Sequence, residues 1–425
     1  MPVQVVVGAQ WGDEGKGKIV DYLAEKSQMV IRFQGGPNAG HTICNDLGTF
    51  KLHSIPSGIF RKNTDCLIGT GTVLSPPQFF DECNILKKAG IALDRLVISD
   101  RAHLIMPWHA VLEDIEESML ADRKIGTTRK SIGPAYADRY GRWGIAVSDL
   151  AHRDWLFKRL SDILSLKNRI LASHEKQQFD LDDIMSLCLE WQKKLKPFVK
   201  DTVPLIRQAL KNDDLILLEG QLGIGKGVLW GSYPYVTSSS PIAGGAAVGA
   251  GIPPHRITDV IGIVKAYSTS VGAGPMVTLD EELVGPKLRE LGNEYGATTG
   301  RPRKCGWLDA VMLKYGADIN GYTCVAVTRI DILDTIDPIG ICTGYEYEDG
   351  TIFHDMPPTP ILEKCRPIIE YVPGWKCNTT SCRDWNELPK ETQNYVTRIE
   401  SFVNAPARFV SVGPGRDETI IRNVA

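Results

Sequence analysis

Near the start of the chain, Gly8-Ala9-Gln10-Trp11-Gly12-Asp13-Glu14-Gly15-Lys16-Gly17-Lys18 brings four glycines, two lysines and two adjacent carboxylates into one short segment. Glycines let consecutive N–H groups turn toward one point, a helix opening behind them adds the positive end of its dipole, and lysines add charge, so the chemistry is phosphate binding. The usual phosphate loop sets Ser or Thr after its lysine to hold magnesium, whereas Ile19 stands here. Asp13 and Glu14 would repel a phosphate unless one of them holds the metal or takes a proton.

Further clusters carry related chemistry. Gln34-Gly35-Gly36-Pro37-Asn38-Ala39-Gly40-His41-Thr42 offers a histidine on a loop, able to give a proton or a hydrogen bond to a departing phosphate oxygen. Val327-Thr328-Arg329-Ile330-Asp331 is similar to the Asn-Lys-x-Asp motif that reads guanine, where the Asp accepts from ring N1–H and the exocyclic amino group and a cationic stem lies on the base. Adenine presents an acceptor and no amino group there, which leaves such an Asp unpaired. Ala297-Thr298-Thr299-Gly300-Arg301-Pro302-Arg303-Lys304 sets guanidinium forks at alternate positions, suited to bidentate capture of carboxylate or phosphate. Gly126-Thr127-Thr128-Arg129-Lys130, with Arg139 and Arg142 nearby, is a second basic patch. Each has a plain alternative: a glycine-rich turn, a satisfied histidine, a capping Asp, a solvated basic loop. So many basic loops in an acidic chain point to an anionic substrate.

The elements that position these clusters are legible as short apolar runs. Val3 to Val7 ends at Gly8 and is followed by mixed apolar and charged residues from Ile19 to Glu25, which predicts strand, glycine loop, helix. Met29–Phe33, Cys66–Ile68, Leu96–Ile98, Leu215–Leu218, Val260–Val264, Cys324–Ile330 and Phe409–Val412 read as buried parallel strands, separated by helical patterns. The expected fold is α/β, a large and mostly parallel central sheet with its phosphate site at the carboxyl edge. Leu156, Leu160, Ile163 and Leu164 fall on one helical face, and residues 150–211 read as a helical insertion. The turn Glu348-Asp349-Gly350 predicts a peripheral hairpin over Tyr345–Phe353. No repeat or linker divides residues 1–425, so a single large domain with insertions is expected.

Composition narrows the class. The 425 residues are 43% hydrophobic and 23% charged, which excludes disordered, collagen-like and coiled-coil chains. Lys and Arg number 48 against 51 Asp and Glu, so no overall basic field draws nucleic acid or an acidic membrane. Ten cysteines are scattered singly, the usage of reduced thiols. Met1 to Val7 has no basic region and only a short apolar run, and no window reaches the roughly 18 apolar residues of a membrane span. A cytoplasmic protein is expected.

Taken together, the motifs resemble the adenylosuccinate synthetase family, whose members join aspartate to IMP at the expense of GTP. The resemblance is carried by Gln10 to Lys18, Asn38-Ala39-Gly40-His41-Thr42, Lys51 to Gly58, Ile132-Gly133-Pro134-Ala135-Tyr136, Tyr233 to Ser239, Lys265 to Thr269, Val271 to Pro275, Gly292 to Arg303 and Gly306-Trp307-Leu308-Asp309, in order along nearly the whole chain. It implies that Asp13 takes the N1 proton of IMP while GTP phosphorylates O6, that His41 assists as acid, and that the aspartate amine then displaces phosphate. It implies Mg²⁺ on Asp13 and the Gly40 carbonyl. It assigns IMP to Asp13, Glu14, Gly15, Lys16, Asn38, Ala39, Gly40, His41, Thr128, Thr237 and Arg301, and to Arg142 of a neighbouring subunit, hence a homodimer. It assigns aspartate to Ala297, Thr298, Thr299, Gly300, Arg301, Pro302 and Arg303. GTP falls to Gly12, Asp13, Glu14, Gly15, Lys16, Gly17, Lys18, Gly40, His41, Thr42, Arg303, Arg329, Ile330, Asp331, Ser411, Val412 and Gly413.

The chain also departs from that family. Where Glu-Gly-Ala-Gln-Gly is usual it has Glu219-Gly220-Gln221-Leu222-Gly223, so Leu222 replaces a glutamine that contacts the O6 region of the purine. Gly227-Val228-Leu229 replaces an acidic Asp-x-Asp, Pro37 a common Asn, Arg329 a common Lys and Gly415 a common Asp. The 220–231 loop opens a second reading, a ligase of the same mechanism for another purine nucleotide or amino acid. A guanine-nucleotide switch is disfavoured by Ile19, and a non-catalytic binder by the pairing of Asp13 with His41.

Overall fold

A computed structural model describes residues 3–296 and 300–423. Ten strands form one sheet: β1 (Val3–Gly8), β2 (Met29–Arg32), β3 (Asp65–Ile68), β4 (Leu96–Ser99), β5 (Val199–Lys200), β6 (Ile216–Gly223), β7 (Ile257–Lys265), β8 (Cys324–Thr328), β9 (Ala407–Ser411) and β10 (Thr419–Ile421). Their order is β10-β9-β8-β7-β1-β6-β2-β3-β4-β5. Every neighbouring pair is parallel except β9 with β10. The central strands are buried on both faces, as their unbroken β-branched runs require.

All the predicted parallel strands lie in this sheet, and the physical surprises are at its margins. The strand predicted over Cys324–Ile330 stops at Thr328, because Arg329 turns into the left-handed region at φ 64°. The insertion contains three helices, Arg153–Ser173, Leu181–Leu195 and Thr202–Lys211, and also β5, which pairs with β4 at the sheet edge. Leu156, Leu160 and Ile163 are fully buried in a core shared with β3 and β4. The hairpin over Tyr345–Phe353 is present, with Tyr345 opposite Phe353.

β1 sits mid-sheet with β6 inserted between it and β2, so the loops after β1, β2 and β6 emerge side by side at the carboxyl edge. The loops after β8 and β9 join them from the other side of β1. Ligand sites of open α/β sheets form at such a crevice.

Candidate active site

The loop after β1 is shaped by backbone that only a few residues accept. Gly12 and Gly15 stand at φ 99° and 90°, and Asp13, which is not a glycine, at 60°. That conformation turns Asp13 outward, while Glu14 is turned in. The Glu14 carboxylate is fully buried, accepts from the N–H groups of Gln10 (3.1 Å) and Gly12 (2.8 Å), and pairs with Lys16. Thr328 Oγ1 donates to the Glu14 carbonyl at 2.6 Å and ties the loop to the end of β8. The puzzle of two carboxylates in a phosphate cradle is thereby halved: one is a structural brace, and Asp13 alone faces solvent.

His41 is not on a loop, as its sequence context suggested, but opens a strand, His41–Asn45, paired antiparallel with Gly48–Leu52. Ile43, Phe50 and Leu52 bury one face of that hairpin in a core with Ile55 and Ile59, while its first strand runs alongside the helix Lys16–Leu23 (α1). Contact is close enough that a Cβ on Gly17 would lie 2.8 Å from His41 Cβ. His41 Nδ1 donates to Glu219 Oε1 at 2.6 Å, and Glu219, fully buried midway along β6, also accepts from Ser57 N (2.8 Å) and Ser57 Oγ (2.6 Å). Burial, with Arg32 nearby, holds the imidazole below its ordinary pKa, and Glu219 is held below the usual carboxylate range by the donors around it.

A third buried carboxylate, Glu294, organises the opposite wall. It meets Lys265 Nζ at 2.7 Å, Arg303 Nη1 at 2.5 Å and Arg329 Nη2 at 3.4 Å, and accepts from Tyr267. These three cations hold it down to about 2 despite full burial, while burial lowers Lys265 to about 8. Three cations on one anion leave local positive charge. Arg303 spends part of it on Asp13, with Nε 2.9 Å from Oδ2.

Two cavities meet here. The first, about 520 Å³, is lined by Asp13, Gly15, Lys16, Gly17, Lys18, Asn38, Ala39, Gly40, His41, Thr42, Gly300, Arg303, Arg329, Ser411 and Gly413 among others. The second, about 390 Å³, is lined by Thr128, Thr237, Arg301 and the helix that begins at Ile132. Asp13, Asn38 and Leu222 line both. Glu117 holds the rim of the second by accepting from Ile125 N and Gly126 N, both at 3.2 Å.

The structure places the remaining expected site residues unequally about these cavities. The Glu14 side chain reaches neither cavity. Lys18 is spent on structure: its Nζ donates to Ser411 Oγ and Gly413 O, both 2.7 Å, and to Glu418 O at 2.9 Å. Gly12, Ile330 and Val412 lie off both cavity walls, the last two fully buried. Pro302 is bridged to Tyr295 and lines neither cavity. Asp331 lines neither cavity, and its buried Oδ1 has no hydrogen-bond partner among the described residues. Arg142 is exposed at the end of the helix Ile132–Gly141 and outside both cavities of its own chain. Ala297, Thr298 and Thr299 lie outside the described residues. Glu294, Lys265 and Arg32 were not singled out from sequence, nor was Glu219 given a role, although a carboxylate closing the apolar run Leu215–Leu218 is a signal that could have found it.

The family model described as adenylosuccinate synthetase matches residues 5–420. The chain belongs to the adenylosuccinate synthetase family. The adenylosuccinate synthetase of Dehalococcoides mccartyi is 44% identical over 423 residues, covering 99% of this chain and 100% of that one. That of Heliobacterium modesticaldum is 45% identical over 417 residues, 98% of each. The structure of fully ligated adenylosuccinate synthetase from Plasmodium falciparum superposes with a TM-score of 0.93 at 34% identity, covering 100% of both chains. Against the usual adenylosuccinate synthetase pattern, the replaced glutamine leaves a leucine at φ 60° on the shared wall, and Gln221, one residue earlier, is fully buried behind it. Leu229 of the other departure is 72% exposed and lines neither cavity.

Proposed function

We propose that this enzyme ligates L-aspartate to IMP with hydrolysis of GTP, giving adenylosuccinate, GDP and phosphate, and that Asp13 and His41 carry the chemistry. The observation that carries the residue assignment is the position of Asp13: it stands where two cavities meet, with His41 and Lys16 on the first and Thr128, Thr237 and Arg301 on the second. GTP phosphates fit the first cavity, where α1 presents its N-terminus, and the purine of IMP fits the second. Asp13 takes the N1 proton, O6 attacks the γ-phosphorus, and GDP leaves. Aspartate, its carboxylates on Arg301, Arg303 and the loop 297–303, then attacks C6 through its amine, and inorganic phosphate departs. The Oδ1 of Asp331, without a hydrogen-bond partner among the described residues, suits the guanine ring donors, beside the cationic Arg329.

Among the described residues no three His, Cys, Asp or Glu side chains gather around one point. This fits Mg²⁺, which typically takes one or two protein carboxylates and completes its shell with phosphate oxygens and water. Asp13 and the Gly40 carbonyl would hold it, and it would supply positive charge to the transferring phosphoryl group. A homodimer, with Arg142 completing the neighbouring site, accords with the exposed position of that residue. Cytoplasmic residence accords with such chemistry; no helix among the described residues is long and apolar enough to cross a membrane. The alternative of another nucleotide or amino acid is not favoured, since relatives matched over full length share one name.

The test is product formation from IMP, aspartate, GTP and Mg²⁺, followed by mass and by the ultraviolet change at the purine. Asp13→Asn should abolish turnover while GTP binding stays measurable; normal turnover in that variant would remove Asp13 as the base.

A further inference from the structure

Gln221 is fully buried, and its amide has two partners. Its oxygen accepts from Arg32 Nη2, and its nitrogen donates to Asn38 Oδ1 at 3.0 Å. Arg32, 1% exposed, is itself short of partners: among the described residues its Nε and Nη1 make no hydrogen bond, and Glu219 stands 3.8 Å from Nη1. The seat is tight, since a Cβ on Gly35 would fall 1.2 Å from Gln221 Nε2.

Polarity follows from this arrangement by elimination. A guanidinium has donors and no acceptor, so the face of the Gln221 amide turned to Arg32 has to be its oxygen. The Gln221 nitrogen therefore faces Asn38, Asn38 answers with its oxygen, and the NH₂ of Asn38 is what remains for the cavities it lines. One buried charge sets the direction of two amides in series. Without Gln221 the Asn38 amide could turn either way and would present an acceptor as readily as a donor.

We infer that Gln221 is a positioning residue that, through Asn38, fixes a hydrogen-bond donor toward an acceptor oxygen or ring nitrogen of the purine nucleotide. The inference rests on the assignment of Asn38 to IMP above. It gives the departure at 221–222 a function: the amide usually found one residue later is used here behind the wall rather than on it.

The test is a double-mutant cycle on purified enzyme, with the KM for IMP and for GTP read in the native chain, Gln221→Met, Asn38→Ala and the double variant. Gln221→Met should raise the KM for IMP about tenfold, leave that for GTP within about twofold, and add less than about twofold in the Asn38→Ala background. An equal effect in both backgrounds, or on both substrates, would overturn the relay and leave Gln221 a packing residue. A normal KM for IMP in Asn38→Ala would instead overturn the assignment of Asn38, and the relay with it. If Gln221→Met does not fold, Gln221→Glu at pH 8 takes its place, because it keeps an acceptor for Arg32 but has no proton to give Asn38. An unchanged KM for IMP in that variant also overturns the proposal.

Discussion

His41 owes its orientation to a carboxylate 178 residues away along the chain. Glu219 uses both oxygens on three donors, those of His41 and Ser57, so an amide in its place would turn an N–H toward one of them. Glu219→Gln should therefore lower kcat ten- to hundredfold, within the usual range for a positioned acid or base, with the KM for GTP nearly unchanged; native kcat per folded molecule would remove the pair from the mechanism. The types and spacing of Asp13, His41, Lys16 and Arg303 were informative in sequence because glycine-rich and basic loops are unusual in composition. Glu14, Lys18, Glu219 and Glu294 were not legible in the same way. A carboxylate or lysine reads alike whether it faces a substrate or braces a loop, and only the partner it meets in space decides.

Elements were easier to read than roles. The helix Arg153–Ser173 shows an apolar face every three to four residues, and that face is buried as expected. It delivers no residue to either cavity. Leu160→Ala should consequently cost about 2–5 kcal/mol of stability in denaturant unfolding, with kcat of the folded enzyme unchanged; a loss of turnover without loss of stability would tie the insertion to the site. The hairpin from His41 escaped the sequence reading because its strands are only five residues each and just three apolar side chains, Ile43, Phe50 and Leu52, mark the buried face. β5 escaped it for a similar reason: two residues carry no periodicity, and their pairing with β4 is a property of the assembled sheet.

Asp309 links the whole molecule, standing between the helix Ala310–Asn320 and the smaller sheet built on Ile339–Glu346. It is fully buried, accepts from Met312 N at 3.1 Å and from Tyr345 Oη at 2.8 and 2.7 Å on its two oxygens, and is pushed up to about 6 by burial. The folded chain then keeps a proton that the unfolded chain releases near 3.8, so this contribution is complete below 3.8 and is lost as pH rises through about 6. Asp309→Asn keeps the helix cap and an acceptor for Tyr345. Relative to the native chain it should gain about 1–3 kcal/mol between pH 4 and 7, read by urea unfolding at each pH; a flat difference would mean Asp309 ionises normally. Sequence by itself determined the α/β class, the strands of the sheet, the phosphate loop and the family, because hydrophobic runs, glycine patterns and ordered motifs are properties of neighbours along the chain. Tertiary structure alone decided that Asp13 joins two cavities, that Glu14 and Lys18 are braces, and that Gln221 stands behind Asn38. Those facts depend on which strand ends the sheet order brings together, and on which buried donors must find an acceptor once water is gone.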